Sequence, residues 1–325
     1  MHNFGIVCDV DGVLLKGGIV IDRVSDAFHL LENSEKNGFI CPMVFVTNGG
    51  DQTETGKGEA LAHKFLPFIN KQHMIVSHSP LQAIDQLRNE RLLLVGRNED
   101  TVLQIAKEYR WENFDTLQNV IREHPYLTPG RKLTPGQPIP ATRIHERMPF
   151  DSIIILSSPT NWEEGLQVII DFLCENVKLY VANLDFVYSA EYVVPRFTTG
   201  AFIKCLECLY QGTTGKALDY VPVGKPFLIT YSFAEDNLNR QFQDSTQFCK
   251  TIYAIGDNPL SDIKGANEAG DQWFSILVQT GCASENHPEI PAKLLCYDFM
   301  DAVQFILQRE GLLEHTGNAA LVSSE

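Results

Sequence analysis

Two acids, Asp9 and Asp11, close the apolar run of "FGIVCDVDGV" with only Val10 between them. Alternate residues on a strand end point to the same side, and neighbouring carboxylates repel unless something positive sits on them. Such a pair suits a divided task. One carboxylate attacks phosphorus and forms an acyl phosphate; the other protonates the leaving oxygen and then activates water. Three further stretches carry residues fit for the same chemistry. "VFVTNGG" supplies Thr47 and Asn48, and the Gly49–Gly50 turn adds main-chain amides, all donors to phosphoryl oxygens. "VPVGKPF" supplies the ammonium of Lys225, and "YAIGDNPLSDI" supplies Asp257 and Asp262. Clustered carboxylate oxygens favour Mg2+, a hard cation that shares itself with substrate phosphates. No His or Cys set joins them, so zinc is not expected.

Several of these residues keep two readings. Asp262 either belongs to the metal set or caps a helix beginning at Ile263. Asn183 and Asp185 in "VANLD" follow a strand signal and fit a substrate-side role or a plain turn equally well. "DVDG" also opens a calcium-loop pattern, but Val13 and Val20 stand at its fifth and twelfth positions, where oxygen ligands are required. His78 in "VSHSP" reads as a loop or cap residue, because neighbours in sequence do not make a nucleophile–base pair. The eight cysteines are scattered through apolar stretches and read as buried free thiols of a reducing compartment. Cys205 and Cys208 form a CxxC, yet Phe202, Cys205, Leu206 and Leu209 fall at helical spacing, which predicts core thiols.

The elements that must position these groups alternate along the chain. "FGIVCDV", "MVFVTNGG", "RLLLVG", "DSIIILSS", "KLYVAN", "TIYAIGD" and "FSILVQTG" are short apolar strands. Between them lie helical periodicities: Val24, Ala27, Phe28 and Leu31; "DTVLQIAKEYR"; Leu166, Ile169, Ile170 and Leu173; "AFIKCLECLYQ"; a helix from about Asp262; and Phe299, Ala302, Val303 and Ile306. This order predicts α/β architecture with a parallel sheet covered on both faces, and such sheets bind ligands at the carboxyl ends of their strands. Residues 125–140, with five prolines and two glycines, must be a loop or insertion, and the tail from about Thr316 reads as frayed.

The 325 residues carry 41 Asp plus Glu against 26 Lys plus Arg, a formal charge of −15 that argues against nucleic acid or an anionic membrane as a main partner. No apolar run approaches the roughly 20 residues needed to span a bilayer. No charged-then-apolar leader precedes "FGIVC", and the expected location is cytoplasmic or mitochondrial.

The four motifs in this order resemble the haloacid dehalogenase superfamily of aspartate-dependent phosphohydrolases. The long insert between Asn48 and Lys225, with "VANLD" and "GKP", resembles the NagD-like branch, whose members carry a large α/β cap at that point. Within it, "DVDGVLLKG", "IVSHSP" and "GDNPLSDIKGAN" look most like the haloacid dehalogenase-like hydrolase domain-containing 5 subfamily. The resemblance implies a doubly wound parallel-sheet, Rossmann-like core at about 1–78 and 184–325, with an inserted α/β cap at 79–183. It implies Asp9 as nucleophile and Asp11 as general acid/base. Mg2+ would be held by Asp9, the backbone carbonyl of Asp11 and Asp257, with Asp262 orienting a ligand or Lys225. Thr47, Asn48 and Lys225 would bind phosphate. Relatives usually follow Thr-Asn with a second Asn, whereas this chain has Gly49, which removes a polar contact.

The expected activity is hydrolysis of a small phosphomonoester through an aspartyl phosphate. A phosphometabolite-binding or scaffold protein with vestigial activity stays open as an alternative, as does a phosphotransferase. The expected partner is a small phosphorylated metabolite, with no nucleic acid and no membrane; a homodimer is left open. The subfamily suggests a link to glycerophospholipid metabolism, for which no residue argues.

Overall fold

The computed structural model describes residues 2–128, 139–188, 194 and 196–314. Its main strands are β1 (Phe4–Cys8), β2 (Met43–Val46), β3 (Met74–Ile75), β4 (Leu92–Val95), β5 (Phe114–Thr116), β6 (Ser152–Ile155), β7 (Lys178–Val181), β8 (Val221–Pro222), β9 (Thr251–Gly256), β10 (Trp273–Val278) and β11 (Leu294–Cys296). The helices that pack on them are α1 (Val24–Leu31), α2 (Glu54–Lys64), α3 (Glu99–Tyr109), α4 (Leu117–Glu123), α5 (Trp162–Leu173), α6 (Thr199–Thr214), α7 (Leu228–Asn239), α8 (Lys264–Glu268) and α9 (Phe299–Arg309). The chain has the expected α/β class: apolar strands alternate with helices and pair in parallel.

The chain divides into two compact units. The first comprises Met1–Met43, Lys64–Phe68 and Leu238–Glu325, and the second Val44–His63 and Ile69–Asn237. In the first, parallel strands run in the order β11-β10-β9-β1, with Phe4 opposite Thr251 and Ile252 opposite Trp273 at the start of two ladders. All five residues of β1 are buried, as a strand covered on both faces requires. α1 buries Val24, Ala27, Phe28 and Leu31, the face that its 3.6-residue period marks out. Phe28 meets Phe299 of α9 at 5.3 Å between ring centroids, and Arg23 pairs with Asp298 at 2.7 Å.

In the second unit five parallel strands run in the order β8-β7-β6-β4-β5. Alternation sorts their side chains into two cores. Leu93 and Val95 pack with Leu117, Val120, Val168 and Phe202 on one face. Leu92 and Leu94 pack with Val102, Ile105 and Tyr109 on the other. Residues 79–183 supply four of these strands, and Val221–Pro222 adds the fifth at an edge. β2 and β3 pair in parallel, Phe45 with Met74 and Val46 with Ile75.

Three expectations change. The helix placed from about Asp262 starts earlier, as a π-helical turn at Pro259–Ile263 that leads into α8. Asn258 is its cap, accepting from Leu260 N at 2.9 Å, so Asp262 lies inside the turn and does not cap a helix at Ile263. Cys205 and Cys208 are exposed, because α6 turns Ala201, Phe202, Ile203 and Leu206 inward and leaves Leu209 outside. The spacing of Phe202 and Leu206 found the right face, but Cys205 sits at its edge. Cys282 is exposed as well, and buried thiols are limited to Cys8, Cys41, Cys249 and Cys296. Of the proline-rich stretch, residues 129–138 lie outside the described residues, as does the tail from Thr316; Pro125–Leu127 forms a 3-10 turn. Among the described residues no helix is long and apolar enough to cross a membrane.

Candidate active site

In the first unit the β1 ladder runs one residue past its last strand position, with Asp9 N donating to Ile255 O at 2.9 Å. The chain then folds back on itself. Val10 O accepts from both Leu14 N and Leu15 N at 2.9 Å, and Gly12 N donates to Leu15 O at 2.7 Å. The turn leaves Asp9 buried and Asp11 exposed. Gly12 has φ +94°, the left-handed region that glycine enters without strain. A Cβ there would lie 2.3 Å from Asp257 Oδ2, so the glycine also makes room for that carboxylate.

Asp257 follows β9 and is 3% exposed. Its Oδ2 accepts from Cys282 N at 2.7 Å, and a Cβ on Gly281 would fall 1.9 Å from the same oxygen. Thr280 Oγ1 ties the two loops together by donating to Gly12 O at 2.6 Å. Asp262 Oδ2 accepts from Asn258 N at 3.0 Å. Asp9, Asp257 and Asp262 are all buried, and one oxygen from each lies within 4.8 Å of the others. Three like charges gathered away from water cost several kcal/mol unless a cation joins them, and an all-oxygen set suits a hard divalent ion. Desolvation, then the carboxylates of Asp257, Asp262 and Asp9, push the neighbouring Cys282 thiol up to about 12.

In the second unit Thr47 N donates to Ile75 O at 2.9 Å, continuing the pairing of β2 with β3. The Thr47 hydroxyl accepts from Gly49 N at 3.1 Å. The Asn48 amide donates to Asp185 Oδ2 and to Lys225 O, both at 3.1 Å, and its Oδ1 accepts from Lys225 N at 2.8 Å. Both amide hydrogens of Asn48 are therefore engaged within the protein, and the side chain braces the loop around Lys225. Asn183 Nδ2 donates to Asn48 O at 3.0 Å, while its Oδ1 accepts from Asp185 N at 2.7 Å and closes a local Asx turn. Asn183 and Asp185 thus form the turn of one reading, and that turn is fastened to Asn48. Lys225 is buried and its ammonium donates to Val46 O at 3.0 Å. Gly224, at φ +83°, lets the backbone pass Ala182 O, where a Cβ would stand at 2.5 Å.

The structure therefore gathers Asp9, Asp257 and Asp262 as one set and Asn48, Asn183, Asp185 and Lys225 as another. Sequence reasoning missed Thr280 and the close approaches at Gly281 and Gly224. The signal for the two glycines was available in their places, in the loop after a strand and directly before Lys225, where backbone must approach another group closely.

Residues 6–112 match the family described as haloacid dehalogenase-like hydrolase, and residues 222–302 match a second haloacid dehalogenase hydrolase-like description. The chain is 27% identical over 342 residues to a mitochondrial hydrolase of Saccharomyces cerevisiae, covering 93% of this chain and 94% of that protein. It is 26% identical over 318 residues to a cardiolipin synthase (CMP-forming)/mitochondrial hydrolase fusion protein of Schizosaccharomyces pombe, covering 92% of this chain. The chain spans about half the length of that fusion protein, 52%. Among solved structures, a glycerol phosphate phosphatase from Mycobacterium tuberculosis in complex with magnesium has a TM-score of 0.66 at 17% identity, covering 93% of this chain and 77% of that one. A p-nitrophenyl phosphatase from Archaeoglobus fulgidus has a TM-score of 0.64 at 16% identity, with 93% and 99% coverage. At these identities the likeness is one of fold.

Proposed function

We propose, from the premise that the chain belongs to the haloacid dehalogenase-like hydrolases, that it is a Mg2+-dependent phosphatase of small phosphomonoesters. The observation that carries this reading is the buried cluster of Asp9, Asp257 and Asp262, with exposed Asp11 two residues beyond Asp9. Asp9 attacks phosphorus, the bond from phosphorus to the leaving oxygen breaks, and an acyl phosphate forms on Asp9. Asp11 gives its proton to the leaving alcohol, then takes one from the water that attacks the acyl phosphate. Inorganic phosphate leaves and the Asp9 carboxylate is restored. Asp9, the carbonyl of Asp11 and Asp257 would hold Mg2+, with Asp262 orienting the set. When bound, the ion offsets the charge of the carboxylates and of the phosphoryl group.

The Thr47 hydroxyl, the main chain at Asn48 and the Lys225 ammonium bind the phosphoryl oxygens in this reading, and Asn183 and Asp185 belong to the substrate side. Residues 79–183 act as the cap that selects the leaving alcohol. The names of both yeast relatives support a mitochondrial location.

Hydrolysis of p-nitrophenyl phosphate, with and without Mg2+, tests the proposal. Wild type is expected to turn over only with the ion, and Asp9→Asn to lose at least about 1,000-fold in kcat. Undiminished activity in Asp9→Asn would sink the mechanism.

A further inference from the structure

The second unit contains a buried polar network that the proposed chemistry does not use. It surrounds His78, which is wholly buried, as is Ser79, and includes the buried carboxylate of Glu54 at the start of α2. Three donors converge on Glu54 Oε1: Ser79 Oγ at 2.5 Å, Tyr109 Oη at 2.5 Å and Gln82 Nε2 at 2.9 Å. Tyr109 Oη also stands 2.6 Å from His78 Nδ1. The opposite ring nitrogen, Nε2, reaches Gln52 O at 3.2 Å.

Hydrogen counting constrains this chain of contacts. Gln52 O only accepts, so Nε2 carries a hydrogen. Glu54 Oε1 receives three donors, Tyr109 among them, so Tyr109 spends its one hydrogen there. Tyr109 Oη must then accept from Nδ1, which needs a hydrogen of its own. With Glu54 as the acceptor, all contacts are made together when His78 is an imidazolium linked to Glu54 through the Tyr109 hydroxyl; a neutral ring keeps them all only if Glu54 takes the proton and donates to Tyr109. Burial opposes that charge and lowers the pKa of His78, against the raising influence of Glu54, the Gln52 and Gly50 carbonyls and Glu108. The titratable groups facing the ring are Glu54 on α2 and Tyr109 and Glu108 on α3. When the ring loses one hydrogen, the Glu54–Tyr109 end keeps the other at Nδ1, and the Gln52 carbonyl is released.

A network of this kind can serve only to pin α2 to α3. Its free end argues for more, because Gln52 closes the segment that leaves Thr47 and Asn48. Gly50 in that segment is held from the other side: a Cβ there would lie 2.6 Å from Ser77 Oγ and 2.9 Å from Leu156 O. Packing at Gly50 and the bond at Gln52 together set the course of the turn whose amides follow Thr47.

We propose that His78, backed by Tyr109 and Glu54, is a positioning residue that holds the Thr47–Gln52 turn in its anion-binding shape. This rests on the reading of that turn as the phosphoryl site. The probe is inorganic phosphate, measured both as a competitive inhibitor of p-nitrophenyl phosphate hydrolysis and by calorimetric binding. At a pH below the His78 titration, where the ring donates to Gln52 O, His78→Ala is expected to weaken phosphate and raise KM at least about fivefold, with kcat within about threefold of wild type, the pattern of lost uniform binding. His78→Gln, whose amide can still donate to Gln52 O, is expected to restore phosphate binding to within about threefold. In wild type, phosphate affinity falls as pH rises through the His78 titration. Tyr109→Phe frees the neutral ring to keep its hydrogen on Nε2 and removes that dependence. If His78→Ala and Tyr109→Phe lower the melting temperature but leave phosphate affinity and its pH profile as in wild type, the network only braces the helices and the proposal is wrong. Full activity in Asp9→Asn would instead overturn the phosphatase reading, so the two failures are separable.

Discussion

The carboxylate set of the first unit and the amide set of the second are assembled on opposite principles. Asp9, Asp257 and Asp262 are like charges crowded to within 4.8 Å, and glycine at 12, 256 and 281 clears the space they occupy. Asn48, Asn183, Asp185 and Lys225 are complementary groups, each meeting another of the set with a hydrogen bond of 2.7–3.1 Å. The first arrangement is poised for a ligand of opposite charge. The second is complete as protein structure. Crowded like groups that oppose folding mark where a ligand is expected, whereas satisfied groups mark what holds a loop in place.

The largest expected effect separates the two sets by their response to metal. Mg2+ at 100 times its dissociation constant should stabilise the wild type by about 2.7 kcal/mol. Asp257→Asn should abolish that shift and cost at least about 1,000-fold in turnover, while with chelator present it melts no lower than wild type, since a repulsive charge is gone. Asn48→Ala should keep the Mg2+ shift. Melting curves of the three proteins with Mg2+ and with chelator check this. Equal Mg2+ stabilisation of wild type and Asp257→Asn would erase the distinction.

Next in size is the intrinsic stability of the amide set. Asn48→Ala strips partners from the buried Lys225 main chain and from Asp185, which should cost roughly 2–4 kcal/mol. Urea unfolding measures it, and a loss below about 0.5 kcal/mol would show that the brace is dispensable. A smaller effect, about 1–3 kcal/mol, is expected for Gly281→Ala, whose Cβ would press on Asp257 Oδ2. That variant should also weaken Mg2+, because relief comes by moving the carboxylate. Unchanged Mg2+ affinity, read from the same melting shifts, would place the clearance elsewhere.

How much of this was legible in the sequence follows from the same contrast. α1 was readable to the residue, since a helix with one apolar face repeats its pattern wherever it packs. The strand ends were readable because apolar runs stop where polar chemistry begins. The Glu54–Tyr109–His78 network was not, because its members are 24 and 31 residues apart along the chain and α2 buries a glutamate where periodicity expects an apolar residue. The role of Asn48 was equally hidden: an amide after a strand reads as a donor to ligand, and only the distances to Lys225 and Asp185 show its hydrogens already engaged. The early start at Pro259 was masked by a π-helical turn, whose repeat differs from the 3.6-residue template.

The smallest expected effect compares the units far from either site, through a tyrosine–glutamate bond in each. In the second, Tyr220 donates to Glu207 at 2.8 Å; in the first, Tyr253 donates to Glu310 at 2.6 Å. Burial first, then the glutamate, raises Tyr220 to about 12, and the same causes raise Tyr253 further. Each phenol is thus more easily ionised in the unfolded chain, at about pH 10, than in the native one. The stability each contributes is complete below that value and drains away as pH rises through the native value. Tyr220 should therefore ionise before Tyr253 when phenolate absorbance is followed with rising pH. Removing its hydroxyl in Tyr220→Phe should flatten the fall of the urea midpoint between about pH 10 and 12. Tyr253→Phe should flatten the same window and also the fall above it, because the native value of Tyr253 lies higher. An unchanged slope in Tyr220→Phe would mean that solvent already reaches the Tyr220–Glu207 bond, and that the alkaline response belongs to the first unit alone.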